Sequence, residues 1–344
     1  LTIKELKDFA VEIGEKPFRG KQLFLWLSRG ASSFDEMTDL SKALRKKLNR
    51  LSEAGEISIG GCTVAQVQED RKDGTRKFLF RVGKQGQSEA FIESVFMKYK
   101  YGNTLCVSSQ VGCRMGCSFC ASTLDGLERN LTPGEILGQV LAAERFTGED
   151  INHIVVMGMG EPFDNYDNVA KALRLLHEPE GKGMSYRNMT VSTSGIVPKI
   201  KQFSEDFPQV NLAISLHRLT DEGRSEIMPV NRSYPLDELL TGAREYTEKT
   251  GRRITFEYTL IRGENDSDRD VELMVNKLKG MLCHVNLIPL NKVSETGFEG
   301  SSRSRAEEIA RALEEAGIAA TVRRELGSEI DGACGQLRLK KRNN

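Results

Sequence analysis

From about residue 104 the chain repeats one unit: a short apolar run, polar residues at its end, then an amphipathic stretch of helix length. That repeat constrains the fold more than any single residue does. The apolar runs are Thr104 to Ser109, His153 to Met157, Met189 to Ser192, Val210 to Ser215, Arg253 to Leu260 and His284 to Ile288, with Ala319 to Arg323 as a possible late addition. The clearest helix start between them is Thr132-Pro133-Gly134-Glu135, a capping box with proline at the first helical position. Another helix is expected from Pro235 to just before Gly251. Strand-helix repetition implies parallel strands with right-handed crossovers, and about six units predict an incomplete (β/α)6 barrel. A flat doubly wound sheet is the alternative, but no G-x-G-x-x-G follows the first strand. A long cysteine-bearing loop stands there instead.

Parallel β/α folds bind ligands at the carboxyl ends of their strands, where loops converge and helix N-termini point inward. Those ends read Gly158-Met159-Gly160-Glu161-Pro162, Ser192-Thr193-Ser194-Gly195, Ser215-Leu216-His217 and Pro289-Leu290-Asn291. Each could be an ordinary turn, helix cap or structural histidine. Their shared strand-end position makes them candidates for ligand binding, with glycine allowing close backbone approach and Glu161 plus carbonyls able to receive an ammonium.

The loop after the first strand holds Cys113, Cys117 and Cys120 in a C-x-x-x-C-x-x-C run. Three soft thiolates with no fourth favour a cubane iron-sulfur cluster with one open iron over structural zinc, which wants four ligands. For zinc the nearest fourth candidate is Cys106, and the four histidines (153, 177, 217 and 284) lie far downstream. Three inert core cysteines are the other alternative, and a glycine-bracketed loop carrying Arg114 and Ser118 is a poor core filler.

Before the repeat, residues 1–55 read as short helices: Thr2 caps one ending at Gly14, Pro17 begins one ending near Gly30, and Ser41 precedes an amphipathic Lys42 to Leu51. Residues 56–103 alternate as antiparallel strands broken by Asp73-Gly74 and Tyr101-Gly102-Asn103. Glu93 sits among apolar neighbours in one of these strands, and alternation alone would put it on the solvent face. At the far end, Cys334 lies between Gly332 and Gly335. It is either an incidental surface cysteine or a thiol kept accessible to several partners.

The 49 Lys plus Arg balance 49 Asp plus Glu, so only local patches speak for a nucleic-acid partner: Arg45 to Arg50, which could equally be a solvated helix face, and Lys340-Lys341-Arg342. The first thirty residues show no signal-peptide core, and no run of about eighteen apolar residues occurs, so a cytoplasmic protein without a membrane span is expected. Seven cysteines, an odd number, suit thiols serving metal or catalysis in a reducing compartment. Numbering that begins at Leu1 predicts a missing initiator segment.

The cysteine loop, with Phe119 before its last cysteine, resembles the radical S-adenosylmethionine superfamily. The run from Cys106 through Cys120 into Ala-Ser-Thr, together with Arg323 to Arg338, closely resembles the RlmN family of dual-specificity RNA methyltransferases. The resemblance covers nearly the whole chain, with the motifs in family order. It implies a (β/α)6 barrel of radical SAM type over 104–326, an N-terminal helical, RNA-binding accessory domain over 1–55, an antiparallel extension over 56–103, and a catalytic-cysteine loop and basic tail over 327–344.

The implied cofactors are one [4Fe-4S] cluster on Cys113, Cys117 and Cys120, and S-adenosylmethionine (SAM) contacted by Phe119, Gly160, Glu161, Ser192, Ser215, Leu216, His217 and Asn291. The implied reaction is methylation of adenosine C2 in 23S rRNA and tRNA. C2 is electron-poor and offers no nucleophile, so a radical route is required. Cys334 would carry the methyl group and become tethered to the RNA, Glu93 would take the C2 proton, and Cys106 would resolve the adduct. This reverses the solvent-face expectation for Glu93, making it an inward carboxylate in an apolar setting with a raised pKa. An electron donor such as flavodoxin or ferredoxin and a monomeric enzyme are also implied, and disulfide pairing of Cys106 with Cys334 at rest stays open. The alternatives are a related adenine-C8 methyltransferase class, against which Val111 argues, and a non-catalytic zinc-knuckle RNA-binding protein.

Overall fold

Ten strands form one continuous sheet whose two halves run differently. In the computed structural model, described for residues 1–83, 89–290, 297–324, 326, 327 and 330, the order is β1-β2-β3-β4-β7-β8-β9-β10-β11-β12. The antiparallel half is β1 (Thr63–Glu69), β2 (Arg76–Val82), β3 (Ala90–Tyr99) and the pairing of β3 with β4 (Gly102–Cys106). From β4 onward β7 (His153–Val156), β8 (Met189–Thr193), β9 (Asn211–Ser215), β10 (Ile254–Leu260), β11 (Cys283–Pro289) and β12 (Ala319–Val322) are parallel. The antiparallel strands are thus not a separate appendage, since they extend the edge of the parallel sheet. β5 (Gln110–Gly112) and β6 (Leu127–Asn130) make a small separate ribbon bracketing the cysteine loop.

The helices are α1 (Ile3–Glu12), α2 (Phe18–Ser28), α3 (Lys42–Glu53), α4 (Pro133–Thr147), α5 (Tyr166–His177), α6 (Val197–Asp206), α7 (Asp221–Ile227), α8 (Leu236–Thr250), α9 (Asp268–Leu278) and α10 (Arg303–Glu315). The starts read from sequence are present as caps: Thr2 with Glu5 and Thr132 with Glu135 form reciprocal capping boxes, and the Ser41 hydroxyl accepts from the Leu44 N–H.

Ladder register divides the sheet into two unlike faces. Directly paired residues share a face, and pairing runs from Lys77 through Val95, Cys106, Val155 and Thr190. One alternation along, it continues through Ser192, Ala213, Ser215, Glu257, Asn286 and Thr321. That face is concave and polar. The opposite face carries Phe78, Ile92, Leu105, Ile154, Val191, Leu212, Phe256 and Leu287 into one core under α4, α5, α6, α8, α9 and α10. Burial of these side chains, at roughly 25 cal/mol per Å² of apolar surface, is what holds the helices against that face of the sheet.

A second core joins the N-terminal helices to the barrel: Leu6, Leu23, Phe24, Met37, Leu44 and Leu48 pack with Leu175 of α5. Lys171 of α5 holds Glu5 at 2.5 Å, and this ammonium pulls the Glu5 carboxyl down to about 2. Beyond β12, the Arg323 N–H donates to the Leu287 carbonyl and the Gly327 N–H reaches Asp73 Oδ2 at 3.0 Å. The chain therefore straps β12 back toward the β1–β2 turn.

Candidate active site

The cysteine loop is built on the end of β4. Gln139 of α4 brackets Ser108, accepting from its N–H at 2.8 Å and donating to its carbonyl at 2.9 Å, while Asn165 donates to the carbonyls of Ser109 and Leu131. Within the loop the Thr123 hydroxyl donates to the carbonyls of Cys117 and Cys120, and the Ser118 N–H donates to Ile227 of α7 at 3.0 Å. Cys113, Cys117 and Cys120 all line one cavity of about 290 Å³. What they share is a cavity wall, because among the described residues no three metal-ligating side chains gather around a single ion position. Burial pushes the Cys113 thiol up to about 12 and Cys117 further in the same direction. Such thiols hold their protons until a metal supplies positive charge.

Strand ends form the rest of the cavity. Gly160, Glu161, Ser192, Ser194, Ser215, His217 and Glu257 line it together with Phe119. Gly158 and Gly160 are dictated by close approach: a Cβ would lie 2.7 Å from Ser108 Oγ at the first and 2.6 Å from Gln110 Cβ at the second, where φ is +103°. The Glu161 carboxylate is already partly engaged where it lines the cavity. It accepts from the Thr193 hydroxyl (2.8 Å), the Phe163 N–H (3.0 Å) and the Ser194 N–H (2.7 Å), so it ties its own turn to β8. Burial raises its pKa against these bonds.

His217 has φ +57° and stacks edge-on against Phe119, with ring centroids 4.9 Å apart. Its Nδ1 accepts from the Thr259 N–H at 3.0 Å, and burial, then Arg224, lowers its pKa to about 3. The ring is therefore neutral, and the hydrogen bond assigns its proton to Nε2. The buried hydroxyl of Ser122 has no hydrogen-bond partner among the described residues, which suits a polar occupant of the cavity it lines. Leu216 departs from expectation: its side chain is in the apolar core, and only its backbone serves the site, through bonds to the Glu257 carbonyl and from Arg224 Nε. Asn291 lies outside the described residues, next to Leu290, which lines the cavity.

Glu93 is inward, at 2% exposure, but its setting is not apolar: Lys77 Nζ stands 2.9 Å from its carboxylate and is itself wholly buried. Cys106 shares this face, two residues along the ladder from Glu93 through its partner Val95. Neither Glu93 nor Cys106 lines the cysteine cavity itself. Cys334 and the Lys340 to Arg342 tail are outside the described residues. In the basic run, Arg45 donates to the Asp35 carbonyl and Lys47 to that of Ile13, leaving Lys46 and Arg50 outward. Cys62 bonds the Glu135 carbonyl and Cys283 packs in the main core. Reading the sequence missed Lys77, Glu257 and Arg224. Glu257 carried the signal that marked Glu93, a charge inside an apolar strand, and burial raises its pKa while Asn286 holds it at 2.8 Å.

A larger cavity, about 570 Å³, sits between the N-terminal helices and α4, lined by apolar residues such as Leu6, Leu23 and Leu137, and shares no residue with the cysteine cavity.

A parallel β/α sheet whose first strand end presents three cysteines to a strand-end cavity defines a radical SAM protein. The Radical SAM superfamily profile matches residues 107–274, and the ribosomal RNA large subunit methyltransferase N-terminal domain matches residues 1–54. A probable dual-specificity RNA methyltransferase RlmN of Alkaliphilus oremlandii is 48% identical over 100% of this chain and 98% of its own length. The corresponding Clostridium perfringens protein is 49% identical over 98% of this chain and 95% of its own length. The crystal structure of a radical SAM methyltransferase from Sphaerobacter thermophilus matches with a TM-score of 0.90 at 44% identity, covering 98% of this chain and 97% of that one. The chain belongs to the RlmN family of radical SAM RNA methyltransferases.

Proposed function

We propose that the protein methylates C2 of adenosine in 23S rRNA and in tRNA, using two SAM molecules per turnover, an S-methylated Cys334 and a transient covalent protein–RNA adduct. The observation that carries this reading is the joint placement of the three cysteines and the strand-end residues around one cavity, with Glu93 and Cys106 on the same concave face. Cys113, Cys117 and Cys120 would hold the [4Fe-4S] cluster, and Phe119, Gly160, Glu161, Ser192, Ser215, the Leu216 backbone, His217 and Asn291 would contact SAM. The cluster supplies one-electron chemistry for radical initiation. An external donor such as flavodoxin or ferredoxin, a monomeric enzyme and a cytoplasmic location belong to the same reading.

The chain's own residues carry the rest. Cys334 is the nucleophile that takes a methyl group and later bonds the RNA through it. Glu93 accepts the proton leaving C2, with the Lys77 ammonium offsetting its negative charge in the buried setting. The Cys106 thiolate attacks the Cys334 sulfur, the S–CH2 bond breaks with its electron pair on the methylene carbon, and a proton taken up there completes the methyl group as the two cysteines form a disulfide. Lys46 and Arg50, with the Lys340 to Arg342 tail, are candidate phosphate contacts, and an adenine taken out of its stack can be reached on its face.

Mass spectrometry of digested RNA after reaction with anaerobically reconstituted enzyme tests the assignment. The expected product is 2-methyladenosine in both substrates, and 8-methyladenosine as sole product would overturn it. Colourless protein with stoichiometric zinc would instead support the zinc-knuckle alternative.

A further inference from the structure

Arg224 of α7 is wholly buried, and its guanidinium donates to the carbonyls of Ser194 (2.6 Å), Ser215 (3.0 Å) and Leu216 (3.2 Å) and to Asn231 Oδ1 (3.1 Å). All four acceptors are neutral, and no carboxylate makes ion-pair contact with Arg224 among the described residues. Asp221, on the same helix, is an exposed carboxylate that accepts from Asn231 Nδ2 (2.9 Å) and the Leu236 N–H (2.8 Å), and it acts on Arg224 through space without touching it. A buried cation whose one carboxylate neighbour is exposed and not in contact is costly, and an anion on its other side would offset that cost.

The missing anion has one obvious place. Ser194 and Ser215, whose carbonyls the guanidinium grips, line the cysteine cavity on their other side. The same helix supplies the Ile227 carbonyl that holds Ser118, and Cys117 packs on Ile227 and Met228. Arg224 therefore stands one layer behind the cavity wall, facing the cysteine loop, with its fork pinning the ends of β8 and β9.

We propose that Arg224 is the counter-charge built for an anionic iron-sulfur cluster in this cavity, raising the potential at which the cluster takes an electron while its fork fixes the strand ends. This rests on the reading that Cys113, Cys117 and Cys120 hold such a cluster. Three thiolates make even the oxidised cubane a net anion, and an added electron deepens that charge. A fixed cation nearby in low dielectric stabilises the reduced form more than the oxidised one. Arg224 is thus a positioning and tuning residue that need not touch substrate.

The test is an anaerobic redox titration without SAM, followed by electron paramagnetic resonance with a low-potential chemical reductant, on full-length wild type, Arg224→Lys, Arg224→Gln and Asp221→Asn. Iron and sulfide are counted first in each. At equal iron content Arg224→Lys should stay near the wild-type midpoint and Arg224→Gln should shift to more negative potential. Asp221→Asn removes a competing negative charge and should shift the midpoint the opposite way. Arg224→Gln with full iron and an unmoved midpoint overturns this proposal alone. If that variant does not fold, an unmoved Asp221→Asn midpoint overturns it equally. Wild-type protein that cannot hold iron and sulfide overturns the cluster reading, and this proposal with it.

Discussion

Replacing Lys77 with Met should show how far the barrel interior depends on paired charge. Lys77 and Glu93 are 0% and 2% exposed and 2.9 Å apart. At an effective dielectric of about 20, Coulomb's law gives about 6 kcal/mol of attraction at that distance. Desolvating both ions takes back most of it, so the intact pair contributes little net stability. Lys77→Met leaves the Glu93 carboxylate buried without its ammonium, and breaking a buried pair from one side costs about 3–5 kcal/mol. Glu93→Gln takes the carboxylate away from the buried ammonium and should also destabilise. The double variant removes both charges and should lose less than the sum of the singles, with a coupling of at least about 2 kcal/mol. Native-state hydrogen exchange of the β2 and β3 amides reads the effect locally, without assuming that the N-terminal helices and barrel unfold together. Strictly additive losses would refute the claim that these two charges stabilise each other.

Other outcomes follow from the same geometry. His217, held near 3 in the fold against an ordinary value of 6.5, stays neutral while the unfolded chain takes up its proton, so its contribution is complete above about pH 6.5. It should be lost at about 1.4 kcal/mol per pH unit as pH falls toward 3, and His217→Gln should flatten that slope in urea titrations. Gly158→Ala drives a methyl group within 2.8 Å of the Val107 carbonyl, so SAM affinity measured by calorimetry should drop by about tenfold or more for a cost of about 1–3 kcal/mol; unchanged affinity would contradict it. Cys334→Ala should abolish methyl transfer with iron content unchanged. Cys106→Ala should leave protein covalently on RNA in denaturing gels, and clean release would remove its resolving role.

Much of this architecture was legible because it follows from local chemistry. The helix caps at Thr2, Ser41 and Thr132, the turn residues Asp73-Gly74 and the apolar runs of β7 to β11 each act over a few residues, and each occurs within a residue or two of the place the sequence indicates. The cysteine spacing and the strand-end positions were legible for the same reason. Pair-level facts were not. That Glu93 faces Lys77, that Glu161 bonds the end of β8, and that Arg224 grips three carbonyls depend on which strands become neighbours and in what register, information no single segment holds. Leu216 shows the converse error: a residue within a functional turn can serve by backbone alone while its side chain fills the core.

The two faces of the sheet explain why these misses cluster where they do. Fully buried parallel strands usually read as continuous apolar runs, and closed barrels fill their interiors with branched aliphatics. Here β10 alternates instead, with Phe256, Tyr258 and Leu260 outward in the core and Thr255, Glu257 and Thr259 inward. Polar groups in such an interior must be satisfied, and the sheet pairs them laterally: Lys77 with Glu93, Glu257 with Asn286, His284 with Thr321. Each pair joins two adjacent strands, so polar bonds tie this face together beside the smaller apolar side chains of Val95, Val155 and Ala213. That arrangement gives up apolar burial on one side of the sheet in exchange for a surface of fixed charges and dipoles, the kind of surface that can meet a cluster, a charged cofactor and an extruded base together.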